Sequence, residues 1–124
     1  MKVLTVLVPT YNVEKYLRRC LDSLLLPEVL EEIEVLVVND GSKDGSADIA
    51  RAYEKKYPQT VVFVDKENGG HGSTINVGIE KAQGTYFKVL DSDDWVNIGD
   101  FIEFVKRLKE ETADAVICDY RKEH

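Results

Sequence analysis

Apolar residues along this chain fall into two alternating arrangements, short dense runs and longer stretches with helical spacing. Residues 3–8 are an almost unbroken apolar run, which predicts a strand covered on both faces. Asn12 then offers a helix N-cap, and Val13, Tyr16, Leu17, Cys20, Leu21, Leu24 and Leu25 recur at the spacing of one helix face. Pro27 stops that helix. Residues 33–38 predict a second buried strand, ending at Asn39-Asp40-Gly41-Ser42. A second helix follows, capped by Asp44 or Ser46, with Ile49, Ala50, Tyr53 and Tyr57 inward and Pro58 as terminator.

The same alternation continues. Residues 61–64 predict a short third strand and residues 66–73 a polar, Gly-rich loop. Ile75, Gly78, Ile79 and Ala82 mark the inward face of a third helix, with Gly84 at its C-terminal cap. Residues 86–90 predict a fourth strand, and Phe101, Phe104, Val105 and Leu108 the core face of a helix after it. Residues 115–120 predict a last strand. Buried strands alternating with amphipathic helices imply an α/β fold, a three-layer sandwich around a mostly parallel twisted sheet. The 124 residues suit one domain with one core.

Composition narrows the partners. Sixteen Lys and Arg against 23 Asp and Glu leave a net charge of −7, which argues against nucleic acid and against anionic membrane surfaces. The first apolar run superficially resembles a signal peptide. It is short, has no small-residue cleavage site and runs directly into Pro9-Thr10-Tyr11-Asn12, so the expected location is cytoplasmic. Cys20 and Cys118 sit among apolar neighbours without Cys-x-x-Cys spacing and are expected to be reduced core residues.

The chemistry gathers where the fourth strand ends. Asp91-Ser92-Asp93-Asp94 puts three carboxylates in four residues against an apolar strand. In an extended chain Asp91 and Asp93 would point the same way, about 7 Å apart. Crowded anions need protonation, donors or a cation, and a divalent ion with oxygen ligands would satisfy them. A solvated capping turn is the plainer alternative. The other strand ends weigh against it, because Thr10, Tyr11 and Asn12, then 40–42, then 68–73 fall at the same carboxyl rim, where such sheets bind ligands.

Several familiar motifs fail on these residues. A dinucleotide site needs Gly-x-Gly-x-x-Gly after the first strand, and residues 9–13 contain no glycine. Residues 40–45 imitate a calcium-loop opening, but the twelfth position is Arg51 rather than Glu. Residues 69–73 lack the Gly-Lys-Ser/Thr ending of a phosphate loop. A Mg-binding phosphoacceptor receiver domain is the signalling alternative, although its paired acids after the first strand are absent.

In combination, Val-Pro-Thr-Tyr-Asn at 8–12, Val-Asn-Asp-Gly-Ser-Lys-Asp-Gly-Ser at 38–46, Asn-Gly-Gly at 68–70, Asn-x-Gly-Ile at 76–79 and Leu-Asp-Ser-Asp-Asp at 90–94 resemble the N-terminal, nucleotide-sugar-binding half of a family 2 glycosyltransferase with the GT-A fold. The resemblance implies inverting, metal-dependent transfer from a UDP-sugar to a sugar or lipid-linked acceptor in polysaccharide synthesis. It implies Pro9, Thr10 and Tyr11 beside the uridine, Asp40 accepting from the base, and Asp91-Ser92-Asp93 as the Asp-x-Asp motif. Asp91 would lie towards the ribose, Asp93 would ligate Mn²⁺ or Mg²⁺, and Asp94 would be an alternate ligand. Ile75 stands where the family commonly has Arg, so a cationic contact to the nucleotide is either missing or supplied by Lys66 or His71.

The base carboxylate and acceptor-binding half are expected beyond residue 124, and the longer protein is expected at the cytoplasmic face of a membrane. In the family, the strand after 115–120 inserts antiparallel beside 86–90. Without it, either 115–120 docks directly on 86–90 or two copies pair through the bare edge, and the homodimer is the favoured expectation.

Overall fold

The computed structural model describes residues 2–110 and the strand residues 116–117. Five strands, β1 (Leu4–Thr10), β2 (Ile33–Asp40), β3 (Val61–Lys66), β4 (Tyr86–Val89) and β5 (Val116–Ile117), form one parallel sheet in the order β3-β2-β1-β4-β5. Four helices complete it: α1 (Leu17–Leu24), α2 (Ser46–Lys56), α3 (His71–Lys81) and α4 (Ile98–Glu110). A receiver domain would run 2-1-3-4-5, so this order removes that alternative.

Strand alternation sorts the core into two layers. Leu4, Val6 and Val8 of β1 join Val35 and Val37 of β2 against Leu17, Leu21 and Leu24 of α1, Ile49 of α2, and Phe101 and Val105 of α4. Leu7, Leu36, Val38 and Phe87 face the other way, against Ile75 and Val77 of α3. Every residue of β2 is buried, as expected for a central parallel strand. The three-layer α/β sandwich is therefore confirmed.

Several local expectations give way to contacts made in the packed chain. Asn12 is not a helix cap: it has φ +52°, and its side-chain oxygen accepts from the Lys43 N–H at 2.8 Å. The helix starts later, at Leu17, after a turn in which Tyr16 N–H donates to Val13 O, and Tyr16 is half exposed. Ile79 is likewise exposed, because α3 turns Ile75 and Val77 to the sheet instead. Gly84 is not the cap of α3, whose C-cap is Ala82. A Cβ at Gly84 would lie 2.5 Å from Thr5 N, so glycine is needed there for close passage against β1. Asp44 does act at the start of α2, where Oδ1 accepts from Ser46 N–H at 2.9 Å.

The edge expectation resolves towards direct docking. Tyr86 and Phe87 pair in parallel with Val116 and Ile117, so β5 satisfies the side of β4 that pairing between copies would have used. Cys20 is a free, fully buried thiol, while Cys118 lies outside the described residues.

Candidate functional site

The strand order turns around at β1, which lies between β2 and β4, and the crevice above that switch is where open α/β sheets bind ligands. A cavity of about 480 Å³ occupies it, lined by Pro9, Thr10, Tyr11, Val13, Asp40, Asn68, Gly70, Thr74, Asp91, Ser92 and Asp93. Seven residues singled out from the sequence, Pro9, Thr10, Tyr11, Asp40, Asp91, Ser92 and Asp93, thus share one wall. Asp94 is buried behind them, and Lys66 lines a neighbouring depression with Arg51 and Asp65. The backbone of His71 begins α3, and its side chain lies outside what is described.

Asp40 is held from several sides. Its Oδ1 accepts from Lys66 Nζ at 2.5 Å and from Gly69 N–H at 2.8 Å, and its Oδ2 accepts from Gly70 N–H at 3.0 Å. Burial opposes its charge, yet the Lys66 ammonium and the two loop N–H groups outweigh burial and hold the carboxyl below its ordinary range. Asp40 O also accepts from Asn68 Nδ2 at 3.1 Å. These bonds fix the Gly-rich loop over the cavity and set Gly70, at φ +91°, as the residue before α3. Lys66 is therefore a partner of Asp40 and not an independent cation in the cavity.

The acidic stretch is a turn, not an extended end. Asp94 N–H donates to Asp91 O at 2.9 Å, which folds Asp91, Asp93 and Asp94 so that a carboxylate oxygen of each lies within 4.8 Å of the others. This replaces the 7 Å extended geometry with a tighter cluster. Helix α1 buttresses it: Cys20 Sγ lies 3.8 Å from Asp91 O, and Ser23 Oγ accepts from Val96 N–H at 3.2 Å. Burial pushes the Cys20 thiol far up, and the nearby Asp94, Asp93 and Asp91 charges push it further. Three hard oxygen donors, graded from buried Asp94 through partly buried Asp91 to exposed Asp93, suit Mg²⁺ or Mn²⁺.

A second set of residues joins the loops beside the cavity, and the sequence suggests only helix-capping roles for Asn12, Asp44 and Ser46 among them. The loops after β1 and β2 are stitched together by Asn12 N–H to Ser42 Oγ (3.0 Å), Val13 N–H to Ser46 Oγ (3.0 Å) and Glu14 N–H to Asp44 Oδ2 (3.1 Å). Gly45 N–H returns a bond to Glu14 Oε1 at 3.2 Å. Burial opposes the Asp44 charge, but the Ser46 hydroxyl and the Ser46 and Glu14 N–H groups prevail and lower its pKa. The recurrence of Ser, Asp and Gly over 40–46 was the available signal, since short polar side chains bind backbone in turns. Thr74, on the first turn of α3, also lines the cavity and carried no sequence signal.

Comparison with known proteins places this geometry. The model of Glycosyl transferase family 2 matches residues 5–123. The putative glycosyltransferase EpsH of Bacillus subtilis is 42% identical over 119 residues, 96% of this chain and 34% of the relative. The solved structure of S. aureus TarS in complex with UDP-GlcNAc superposes with a TM-score of 0.74 at 34% identity, covering 89% of this chain and 32% of that one. The mannosyltransferase PcManGT of Pyrobaculum calidifontis, in complex with GDP-Man and Mn²⁺, gives a TM-score of 0.75 at 26% identity over 89% of this chain and 33% of that one. The chain spans well under half the length of the curated relatives it matches.

Proposed function

The chain belongs to glycosyl transferase family 2, and we propose that it forms the part that binds a UDP-sugar with a divalent metal for inverting transfer to a sugar or lipid-linked acceptor. The observation that carries this reading is the shared wall. Carboxylates from the ends of β2 and β4, far apart in sequence, line one cavity of a size suited to a small ligand. The complexes of TarS with UDP-GlcNAc and of PcManGT with GDP-Man and Mn²⁺ support the donor class and the metal.

Pro9, Thr10 and Tyr11 would border the base and ribose. Asp40 accepts three donors from its own chain, and a carboxylate accepts about four, so capacity remains for an N–H of the base. Asp91 and Asp93 would hold Mn²⁺ or Mg²⁺, with Asp94 as alternate ligand and Ser92 in the wall. Bound there, the metal would neutralise charge on the departing diphosphate. We assign none of the described carboxylates as the base that takes the acceptor proton, because those of the rim are committed to the metal cluster and to the loops. No helix among the described residues is long and apolar enough to cross a membrane.

Calorimetry with UDP and ADP, with and without Mn²⁺, tests the reading. UDP is expected to bind only with metal and more tightly than ADP. Metal-independent binding, or a preference for ADP, would overturn it.

A further inference from the structure

On the other side of the acidic turn, a groove of about 590 Å³ has the opposite charge. Lys15, Arg18 and Arg19 line it with Asp22, Trp95 and Ile98. It shares no lining residue with the donor cavity, yet the two adjoin. Trp95 directly follows Asp94, and Cys20, next to Arg19, has its Sγ 3.8 Å from Asp91 O. The Arg19 guanidinium lies over the Trp95 ring, 4.7 Å from its centroid, which restrains its orientation. The one acidic lining residue, Asp22, accepts the Tyr53 hydroxyl at 2.7 Å and keeps its charge, so the three cations still outnumber it in the groove. Lys15, Arg18 and Arg19 are exposed, and none forms a salt bridge among the described residues.

In a chain of net charge −7, three cations converging on one groove beside the reaction site call for an anion. Guanidinium forks match phosphate oxygens two at a time, and the lysine adds a point charge. We propose that this groove binds a phosphate group of the acceptor, which makes the acceptor class a phosphate-bearing sugar or polyol. The inference rests on the donor-site reading above. A bilayer is the poorer occupant, because the overall negative charge opposes approach to an anionic surface.

Trp95 is the single tryptophan and lines this groove, so its emission reads the groove against a baseline recorded with the metal and UDP alone. The chain is titrated with sn-glycerol 3-phosphate, with and without saturating UDP and Mg²⁺. A saturable change that persists when UDP fills the donor cavity is expected, with none from glycerol. The Lys15→Ala/Arg18→Ala variant should bind glycerol 3-phosphate at least about tenfold more weakly, while UDP affinity, set in a cavity these residues do not line, stays within about twofold. An unchanged affinity in that variant, an equal response to inorganic phosphate, or a response only to phosphatidylglycerol vesicles overturns the proposal. Failure of UDP to bind with metal sinks the donor reading instead. A surviving glycerol 3-phosphate response would then mark an anion site with no acceptor role.

Discussion

Asp40 and the Asp91–Asp94 turn meet at one cavity and are held in different ways. Asp40 is surrounded by donors of its own chain, with Lys66 and two loop N–H groups on its oxygens. Asp91, Asp93 and Asp94 are instead folded against one another, each with an oxygen within 4.8 Å of the others. Like charges at that spacing repel, and a bound cation turns the repulsion into coordination. The chain's own fold supplies the countercharge in the first case, and the carboxylate mainly builds the site. In the second case three carboxylate oxygens lie close enough together to share one cation.

The contrast can be broken by single substitutions. Asp93→Asn should have the largest effect on binding, lowering metal-dependent UDP affinity by about 100-fold, the upper range for disturbing a metal site. Its urea midpoint without metal should stay level or rise, because one of three crowded charges is removed. A clear loss of stability would mean the cluster is a structural network like that of Asp40.

Asp40→Asn should do the reverse. Losing the buried partner of Lys66 and one charge-assisted acceptor should cost about 2–3 kcal/mol of stability, measured by urea unfolding. UDP should weaken while its metal dependence remains. If metal response vanishes as well, Asp40 belongs to the metal site.

The stability gap between the parent chain and Asp40→Asn should also depend on pH with a definite sign. The folded-state pKa of Asp40 lies below its ordinary 3.8, so the folded chain binds fewer protons there than the unfolded one. Its contribution is complete above 3.8 and fades as pH falls through the folded value. Urea midpoints at pH 7 and near pH 3 should show the gap narrowing in acid, and a gap that widens would reverse the assignment.

The smallest effect concerns the loop clamp. Ser46→Ala removes the acceptor of Val13 N–H and should cost about 1 kcal/mol, with UDP binding weakened less than by Asp40→Asn. Chemical shifts of the Val13 and Glu14 amides would show whether the two loops stay joined.

The sequence by itself determined the alternation of strands and helices, and with it the fold class. A strand's period of two and a helix's 3.6 are written into neighbouring residues, so each of the four longer strands was recognised, though ends were missed by up to two residues. It also brought Asp40 and Asp91–Asp94 to one rim, because a parallel sheet puts all its strand ends on the same side. Tertiary structure alone decided what those rim residues touch. Asn12 looked like a cap, but its oxygen is taken by Lys43 in another loop. Gly84 looked like a helix terminator, but it is needed where the chain passes β1. Lys66 was one candidate for a cationic contact to the nucleotide, and the packed chain pairs it with Asp40. The extended Asp91–Asp93 spacing gave way to a turn closed by one backbone bond and braced by α1. Partners roughly thirty or more residues away leave no periodic trace in local sequence, so only the packed chain could choose among them.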